Sequence, residues 1–459
     1  MSSIEERLEV KGTSDPIVLS SPGVAWRIEG EGRHQVARAE VEVGARALVL
    51  ELRYGTASLA APPRGEQERR RETLDLWRSW SSSLALPAES PELVRTSALV
   101  LKALVHGPTG GILAAATTSL PETLGGVRNW DYRFVWLRDA ALAAQALALL
   151  DSTQEGLAFL DWVLGVLETL PSPERLRPLY SVNGRELGPE GEIAELAGYS
   201  GSRPVRVGNA ASLQVQLDVF GPVADLVWTL VERGASMTAE QGRLIEALVA
   251  AVAQRWREPD QGIWEIRGPA RHHVHSKVMC WLTVDRAQRI LRHTLGRERP
   301  EWAELAAEIA ADVLAHGWNA QVGAFTTAYG SSDLDAAALW VGLGGLLPGD
   351  DPRFLATVSA VERGLREGPT VYRYKFDDGL PGREGGFHLC TSWLVEAYLM
   401  TGRRRDAREL FDGLRGLVGP TGLLSEEYDP RERRALGNHP QAYSHIGLIQ
   451  NAIALDRAS

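Results

Sequence analysis

Glu265, Glu426 and Glu427 are the residues best suited to acid–base work. Glu265 lies in GIWEIRG, directly after Trp264 and two places before Arg267. A carboxyl beside an indole loses part of its hydration, which raises its pKa and suits it to give up a proton. Glu426 and Glu427 are adjacent in GLLSEEYDP, just past an apolar helical pattern. Taken singly, each has an ordinary reading: Glu265 as a loop carboxylate paired with Arg267 or a nearby histidine, the other two as a solvated turn. As a pair, Glu265 and Glu426 meet the demand of glycosidic hydrolysis. That reaction needs one protonated carboxyl for the leaving oxygen and one ionised carboxylate to activate water. In its inverting form the two stand about 6.5–9.5 Å apart, leaving space for that water. The two glutamates are distant in sequence, so only a closed fold can bring them together.

The segment RNWDYRFVWLRDA packs Trp130, Tyr132, Trp136, Arg138 and Asp139 around a helix start. Aromatic faces stack on the apolar faces of pyranose rings, and an Arg–Asp pair can clamp adjacent hydroxyls with charge-assisted hydrogen bonds. A surface ion pair beside core aromatics accounts for the composition equally well. His272, His273 and His275 are close together but lack HExxH or similar ligand spacing. They read as loop residues, and no metal or organic cofactor is expected.

The elements that must position these residues are mainly helices. From about Ser90 onward, apolar spacing of period 3.6 and helix-end signals give about twelve candidates, starting with PELVRTSALVLKALVHG and ending with QAYSHIGLIQNAIALDRA. Some, such as FVWLRDAALAAQALALL, are apolar nearly all round and must be buried on every side. Others, such as AEQGRLIEALVAAVAQRWRE, keep a polar face. Alternation of the two kinds predicts concentric rings, a helical toroid with no fixed-period repeat. The unusual Trp, Tyr, Arg, Asp and Glu residues fall in long loops, among them SLPETLGGVRNWDYR, residues 181–209, DQGIWEIRGPARHHV, RYKFDDGLPGREGGF and SEEYDPRERRALGNHP. Loops at one end of a ring surround its mouth, and the chemistry belongs there.

Ahead of the helices, VAWRIEG, QVARAEVEV and RALVLELRYG alternate apolar and polar residues as strands do. Pro62 and Pro63 end this region, and a charged amphipathic helix follows over about 66–84. The expected organisation is a short β-rich region at 1–63, a linker helix at 64–89 and a helical domain at 90–459.

Composition narrows the function classes. With 44% hydrophobic and 24% charged residues, the chain of 459 residues is neither disordered nor fibrous. A formal net charge of −10 disfavours phosphate-backbone binding, so no nucleic-acid partner is expected. The basic run Arg69–Arg71 lies among Glu66, Glu68 and Glu72 and reads as a solvated helix face. Cys280 and Cys390 sit in apolar helical patterns, consistent with buried thiols in a reducing compartment. The charged N-terminus has no apolar signal segment, and no apolar run reaches the roughly 18 residues of a membrane span. A cytoplasmic location is expected, with no membrane partner, and a homo-oligomer is left open.

Four blocks in order, RNWDYRFVWLRDA, GSRPVRVGNAASLQVQLD, GIWEIRG with HSKVMCW, and LLSEEYDP with LGNHPQAYSHIGLI, closely resemble glycoside hydrolase family 15 over about residues 92–456. That family contains glucoamylases, trehalases and glucodextranases. The resemblance implies an (α/α)6 barrel and inverting, exo-acting hydrolysis that releases β-glucose from non-reducing ends. It implies that Glu265 is the general acid and Glu426, rather than Glu427, the general base. Tyr132, Trp136, Arg138 and Asp139 would line the subsite for the terminal glucose, with Trp264 as a further wall. Arg206, Asn209, Lys277, Glu384, Glu427 and His445 would be secondary contacts. The strand-rich region is far shorter than the N-terminal β-sandwich of bacterial and archaeal members and reads as truncated. His439 stands where the family commonly has Phe. The expected substrate is a small α-glucoside: trehalose, isomaltose or a malto-oligosaccharide. A phosphorylase on a similar toroid would lack the base, and a silent sugar-binding homologue is the other alternative.

Overall fold

The computed structural model describes residues 2–4, 7–10, 15–32, 35–42, 44, 47–58, 60 and 64–458. The chain divides into two units, Met1–Ser82 and Ser83–Ser459. In the first, Ser2–Ile4, Arg7–Val10, Ile17–Ser20 and Glu51–Tyr54 make an antiparallel sheet in that order. Arg27–Glu29 and Val36–Arg38 form a separate ribbon. The three strand-like segments of the sequence are thus strands, though shorter. Three further strands, Ser2–Ile4, Arg7–Val10 and Ile17–Ser20, lie in the β-rich region without having been singled out as segments; Arg7–Val10 alternates charged and apolar residues, and Ile17–Ser20 is a short apolar run. Helix α1, Glu66–Ser82, completes the unit. The Pro62–Pro63 break expected before it lies outside the described residues.

The second unit holds twelve helices among its described residues. They are α2 (Pro91–Leu104), α3 (Leu137–Leu149), α4 (Gln154–Thr169), α5 (Phe220–Glu232), α6 (Ala239–Arg255) and α7 (Val274–Leu295), followed by α8 (Pro300–His316), α9 (Trp340–Leu343), α10 (Pro352–Leu365), α11 (His388–Met400), α12 (Arg404–Arg415) and α13 (Ala442–Arg457). Helices α3, α5, α7, α9, α11 and α13 touch one another in sequence, and α13 returns to α3, closing an inner ring. The even-numbered helices α2 to α12 pack outside it, which makes an (α/α)6 barrel. Burial explains the division. Of the 13 residues of α3, 12 are buried, six of them alanines that let neighbouring helices approach closely. In α8 only Trp302, Ile309 and Val313 are buried, the stripe of an outer helix.

Chain entering an inner helix comes through a long connection, whereas chain leaving one turns back within a few residues. The long connections therefore gather at one end. Three departures from the helical pattern lie there. The helix read at 211–234 begins only at Phe220, preceded by 3₁₀ turns at Ala210–Leu213 and Leu217–Val219, because Asn209 caps the first turn and Pro222 fits only a first turn. The helix read at 134–150 begins at Leu137, because Val135–Trp136 pair with Leu179–Tyr180. The segment 334–347 keeps one α-turn after a 3₁₀ turn at Ala336–Leu339. A five-stranded antiparallel sheet of short strands, Arg366–Glu367, Thr370–Val371, Gly386–Phe387, Glu427–Asp429 and Arg434–Leu436, ties the last two long connections together. Cys280 and Cys390 are both free and buried. Among the described residues, no helix is long and apolar enough to cross a membrane.

Candidate active site

The extended segment before α3 supplies the first wall of a cavity at the loop end of the barrel. Its alternation turns Tyr132 and Trp136 the same way, and their rings meet edge to face. Trp136 Nε1 donates to Glu265 Oε1 at 2.6 Å, and the Tyr132 hydroxyl donates to Glu426 Oε1 at 2.9 Å. Arg138 and Asp139 occupy the first turn of α3, both buried. The Arg138 guanidinium donates to Asp218 at 2.8 Å and to Gln216 at 3.2 Å, and lies 3.9 Å from Glu265 Oε1. Tyr443, in the first turn of α13, donates its hydroxyl to Asp139 Oδ2 at 2.8 Å and accepts from Arg138 Nε. Burial pushes Asp139 up to about 6, against the pull of Arg138.

Glu265 sits on the connection between α6 and α7 with φ of 59°, a left-handed conformation that is uncommon for a side-chain-bearing residue and points to a constrained site. Its amide donates to the Gly262 carbonyl, and its own carbonyl accepts from Gln214 Nε2 at 3.0 Å. Gly262 permits the turn: its φ is 69°, and a Cβ there would stand 2.8 Å from the His273 ring. Burial raises the Glu265 pKa, opposed by Arg138 and by the hydrogen bonds from Trp136 and Gln216. Trp264 is fixed by a 2.9 Å hydrogen bond from Nε1 to Asp335 and by packing on Phe387 and Trp393.

Glu426 precedes α13 and is almost fully buried. Burial holds its carboxyl above the ordinary range, while the Tyr132 hydroxyl and Arg373 pull it down. Glu427 turns the other way and accepts from the Gly385 amide at 2.6 Å. Arg373 lies over the Trp264 and Phe387 rings and pairs with Glu384. Arg128 gathers the same loop, donating to Asp378 through both terminal nitrogens at 2.9 and 2.7 Å, to the Leu380 carbonyl at 2.9 Å, and to Glu384.

Of the residues singled out in the sequence, Glu265, Glu426, Tyr132, Trp136, Arg138, Asp139, Trp264 and Asn209 line this one cavity. Five do not. Lys277 points outward from α7 and donates to the carbonyls of Trp256 and Glu258, beside a separate depression. His445 is fully buried, accepting from the Leu424 amide and bonded to Ser97. Arg206 binds the Val127 and Asn129 carbonyls and stacks on Trp130. Glu384 and Glu427 lie behind the wall, against Arg373 and Gly385. His439 is also absent from the lining.

Sequence reasoning missed Glu122, Gln441, Arg373, Tyr374 and Tyr443, all of which line the cavity. The only signal for Arg373 and Tyr374 was the aromatic and charged density of their loop. Tyr443 looked like a core residue of an apolar helix. The cavity can take a compact polyhydroxylated ring: aromatic walls supply apolar faces, and Arg138, Asp139 and Tyr443 supply a buried cluster of donors and acceptors. Glu122, Glu426 and Glu427 offer carboxylate oxygens within 4.8 Å of one another.

Known proteins resemble the chain along its length. Residues 89–453 match the model of glycosyl hydrolases family 15, and residues 1–77 match a trehalase-like N-terminal model. A trehalase of Thermoplasma volcanium is 37% identical over 85% of this chain and 62% of its own length. A trehalase of Mycobacterium tuberculosis is 39% identical over 84% of this chain and 58% of its own. The chain thus spans about three fifths of these two relatives, at 62% and 58%. Among solved structures, a bacterial glucoamylase complexed with acarbose superposes with a TM-score of 0.74 at 16% identity, covering 99% of this chain and 73% of that one. A glycosidase in complex with glucose gives 0.64 at 21% identity, covering 79% of this chain and 96% of that one.

Proposed function

We infer the reaction from family and geometry together: the chain belongs to glycosyl hydrolases family 15, and its cavity holds two carboxyls bridged by one aromatic pair. The reaction is hydrolysis of a small α-glucoside with inversion, and trehalose is the substrate of choice. Six relatives at 33–39% identity carry the name trehalase, and the N-terminal match is of the same kind. The observation that carries the reading is that Glu265 and Glu426 face one cavity, each tethered to a member of the Trp136–Tyr132 pair.

In this mechanism the terminal glucose enters between the aromatic walls, and its hydroxyls bind Arg138, Asp139 and Tyr443. Glu265, whose pKa burial raises, gives its proton to the glycosidic oxygen as the bond to the anomeric carbon breaks. Glu426 takes a proton from a water that attacks the opposite face of that carbon. The released sugar is the β-anomer, and the leaving group departs as an alcohol. Remote hydroxyl contacts serve to hold the anomeric carbon between the two carboxyls, where orientation lowers the barrier.

The test is to incubate the protein with trehalose, maltose, isomaltose and soluble starch and follow the anomers by NMR, with Glu265→Gln as control. Trehalose cleaved with inversion yields one β- and one α-glucose at early times. Two α-glucoses would overturn inversion, and silence on every substrate would favour a sugar-binding role.

A further inference from the structure

We propose that Glu122 and Glu427 hold the protons of a three-carboxyl cluster, so that its single negative charge rests on Glu426. Both are then positioning residues that act through the base, and the inference rests on the reading of Glu426 as that base.

Glu122, Glu426 and Glu427 are 1%, 6% and 0% exposed and bring carboxylate oxygens within 4.8 Å of one another. Glu122 comes from the connection between α2 and α3, the other two from the connection into α13. The charged groups facing them are already matched. Arg128 is bound bidentately by Asp378 and also by Glu384, and Arg373 is bound by Glu384. Asp139, which faces Glu426, pairs with Arg138. Two cations against two carboxylates leave no counter-charge for the cluster. Three unmatched and deeply buried carboxylates at this separation cannot all ionise, so protons must be shared among them.

Hydrogen bonding decides where the protons go. Glu426 alone receives a side-chain hydroxyl, that of Tyr132, which favours its ionised form. Glu427 takes the Gly385 amide on Oε2, and among the described residues its Oε1 has no partner, so a proton fits there. No described residue bonds Glu122 Oε2, and Glu122 is raised most directly by burial and by Glu384. Glu426 Oε2 is likewise unpartnered and stands ready to accept, directly or through one water. A general base must be ionised to act. Two neutral acids beside it supply donors without adding charge, so the base can stay ionised in a pocket that would otherwise protonate it.

The experiment measures kcat/KM on trehalose across pH for the wild type, Glu122→Gln, Glu427→Gln and Glu122→Leu, with Glu426→Gln as reference. The readout is the position of the acidic limb, whatever happens to kcat. Glutamine is neutral and keeps an N–H donor, so both Gln variants should hold the limb in place. Leucine removes the donor and should raise it by about one pH unit. If either neighbour is ionised in the working enzyme, its Gln variant removes a charge within 4.8 Å of the base and drops the limb by about two pH units, which overturns the proposal. An unmoved limb in Glu122→Leu also overturns it. So does loss of activity in EDTA restored by magnesium, since a cation would then balance the carboxylates. Should the Leu variant not fold, the Gln variants still decide. Activity retained by Glu426→Gln would instead discard the base assignment itself.

Discussion

Tyr132 and Trp136 meet edge to face with ring centroids 5.5 Å apart, and each gives its one polar hydrogen to a different glutamate, Tyr132 to Glu426 and Trp136 to Glu265. Two carboxyls from connections that are remote in sequence are therefore spaced by one aromatic pair in a third connection.

Each aromatic should tune one limb of the pH profile. Both hydrogen bonds favour the ionised carboxylate, so deleting either raises the pKa of its glutamate. Tyr132→Phe makes the base harder to ionise and should move the acidic limb of kcat/KM upward. Trp136→Phe keeps the acid protonated to higher pH and should move the alkaline limb upward. A bond to a charged group is worth about 1.5–3 kcal/mol, so each displacement should be about one to two pH units. A Trp136→Phe variant that moved only the acidic limb would exchange the two roles.

The isosteric variants Glu265→Gln and Glu426→Gln should each lower kcat by about 10²–10⁴-fold, the ordinary worth of one acid–base group. The double variant should be little worse than the poorer single one, because the two groups act on one transition state. Calorimetry with trehalose should show binding retained in all three. Multiplying losses in the double variant would mean that the groups act independently.

How much of this was legible in the sequence depended on how local each relationship is. The alternation of buried and half-buried helices announced the ring, because burial on all sides is written into α3 itself. Glu265 and Glu426 were legible as members of unusual loops, and Tyr132, Trp136, Arg138 and Asp139 as one dense segment. Lys277, His445 and Arg206 lie near that chemistry in sequence but spend their polar atoms on backbone carbonyls, an amide or a neighbouring serine. Nothing in a helical pattern says which way a lysine one turn into α7 will point. Glu122 was invisible because its meaning lies in Glu426 and Glu427, which reach it only when the ring closes.

Arg128 should matter to substrate binding without touching the reacting carboxyls. Its side chain is 5% exposed and ties Asp378, Leu380 and Glu384 into the loop that sets Arg373 and Tyr374 on the cavity wall. Arg128→Met leaves the buried Asp378 carboxylate without a cation, while Glu384 keeps Arg373, a loss of about 3–5 kcal/mol in stability. KM should rise more than kcat falls, and hydrogen exchange should quicken in residues 374–384. Arg128→Lys should rescue poorly, since a single ammonium cannot reproduce the bidentate geometry.

Asp260 should set a pH dependence of stability. It is fully buried, accepts from the Leu217 amide and the Ser276 hydroxyl, and is pushed up to about 7 by burial and by Asp218. Its ordinary value in the unfolded chain is about 3.9. A carboxyl raised on folding leaves stability intact below its unfolded pKa and erodes it as pH climbs to the folded one, here by as much as about 4 kcal/mol. Asp260→Asn removes that erosion, so its melting temperature relative to wild type should be higher at pH 8 than at pH 5. A constant difference would mean that Asp260 is ionised throughout.

Gly437 should be needed for the position of the base rather than for the fold. Its φ is 76°, and a Cβ there would lie 2.7 Å from Glu426 Oε2 and 2.8 Å from Glu426 Cβ. Its amide donates to the Pro121 carbonyl at 2.9 Å, a bond that resists a shift of the backbone. In Gly437→Ala the Glu426 side chain must therefore move, and a misplacement of about 1 Å can cost about 10²-fold in rate. Gly323→Ala is the control: its φ is 69°, yet a Cβ there meets nothing within 4 Å. It bears only the left-handed conformation, about 1–2 kcal/mol, and should leave kcat alone. Equal losses of kcat in the two variants would mean that backbone strain, not displacement of Glu426, governs the rate.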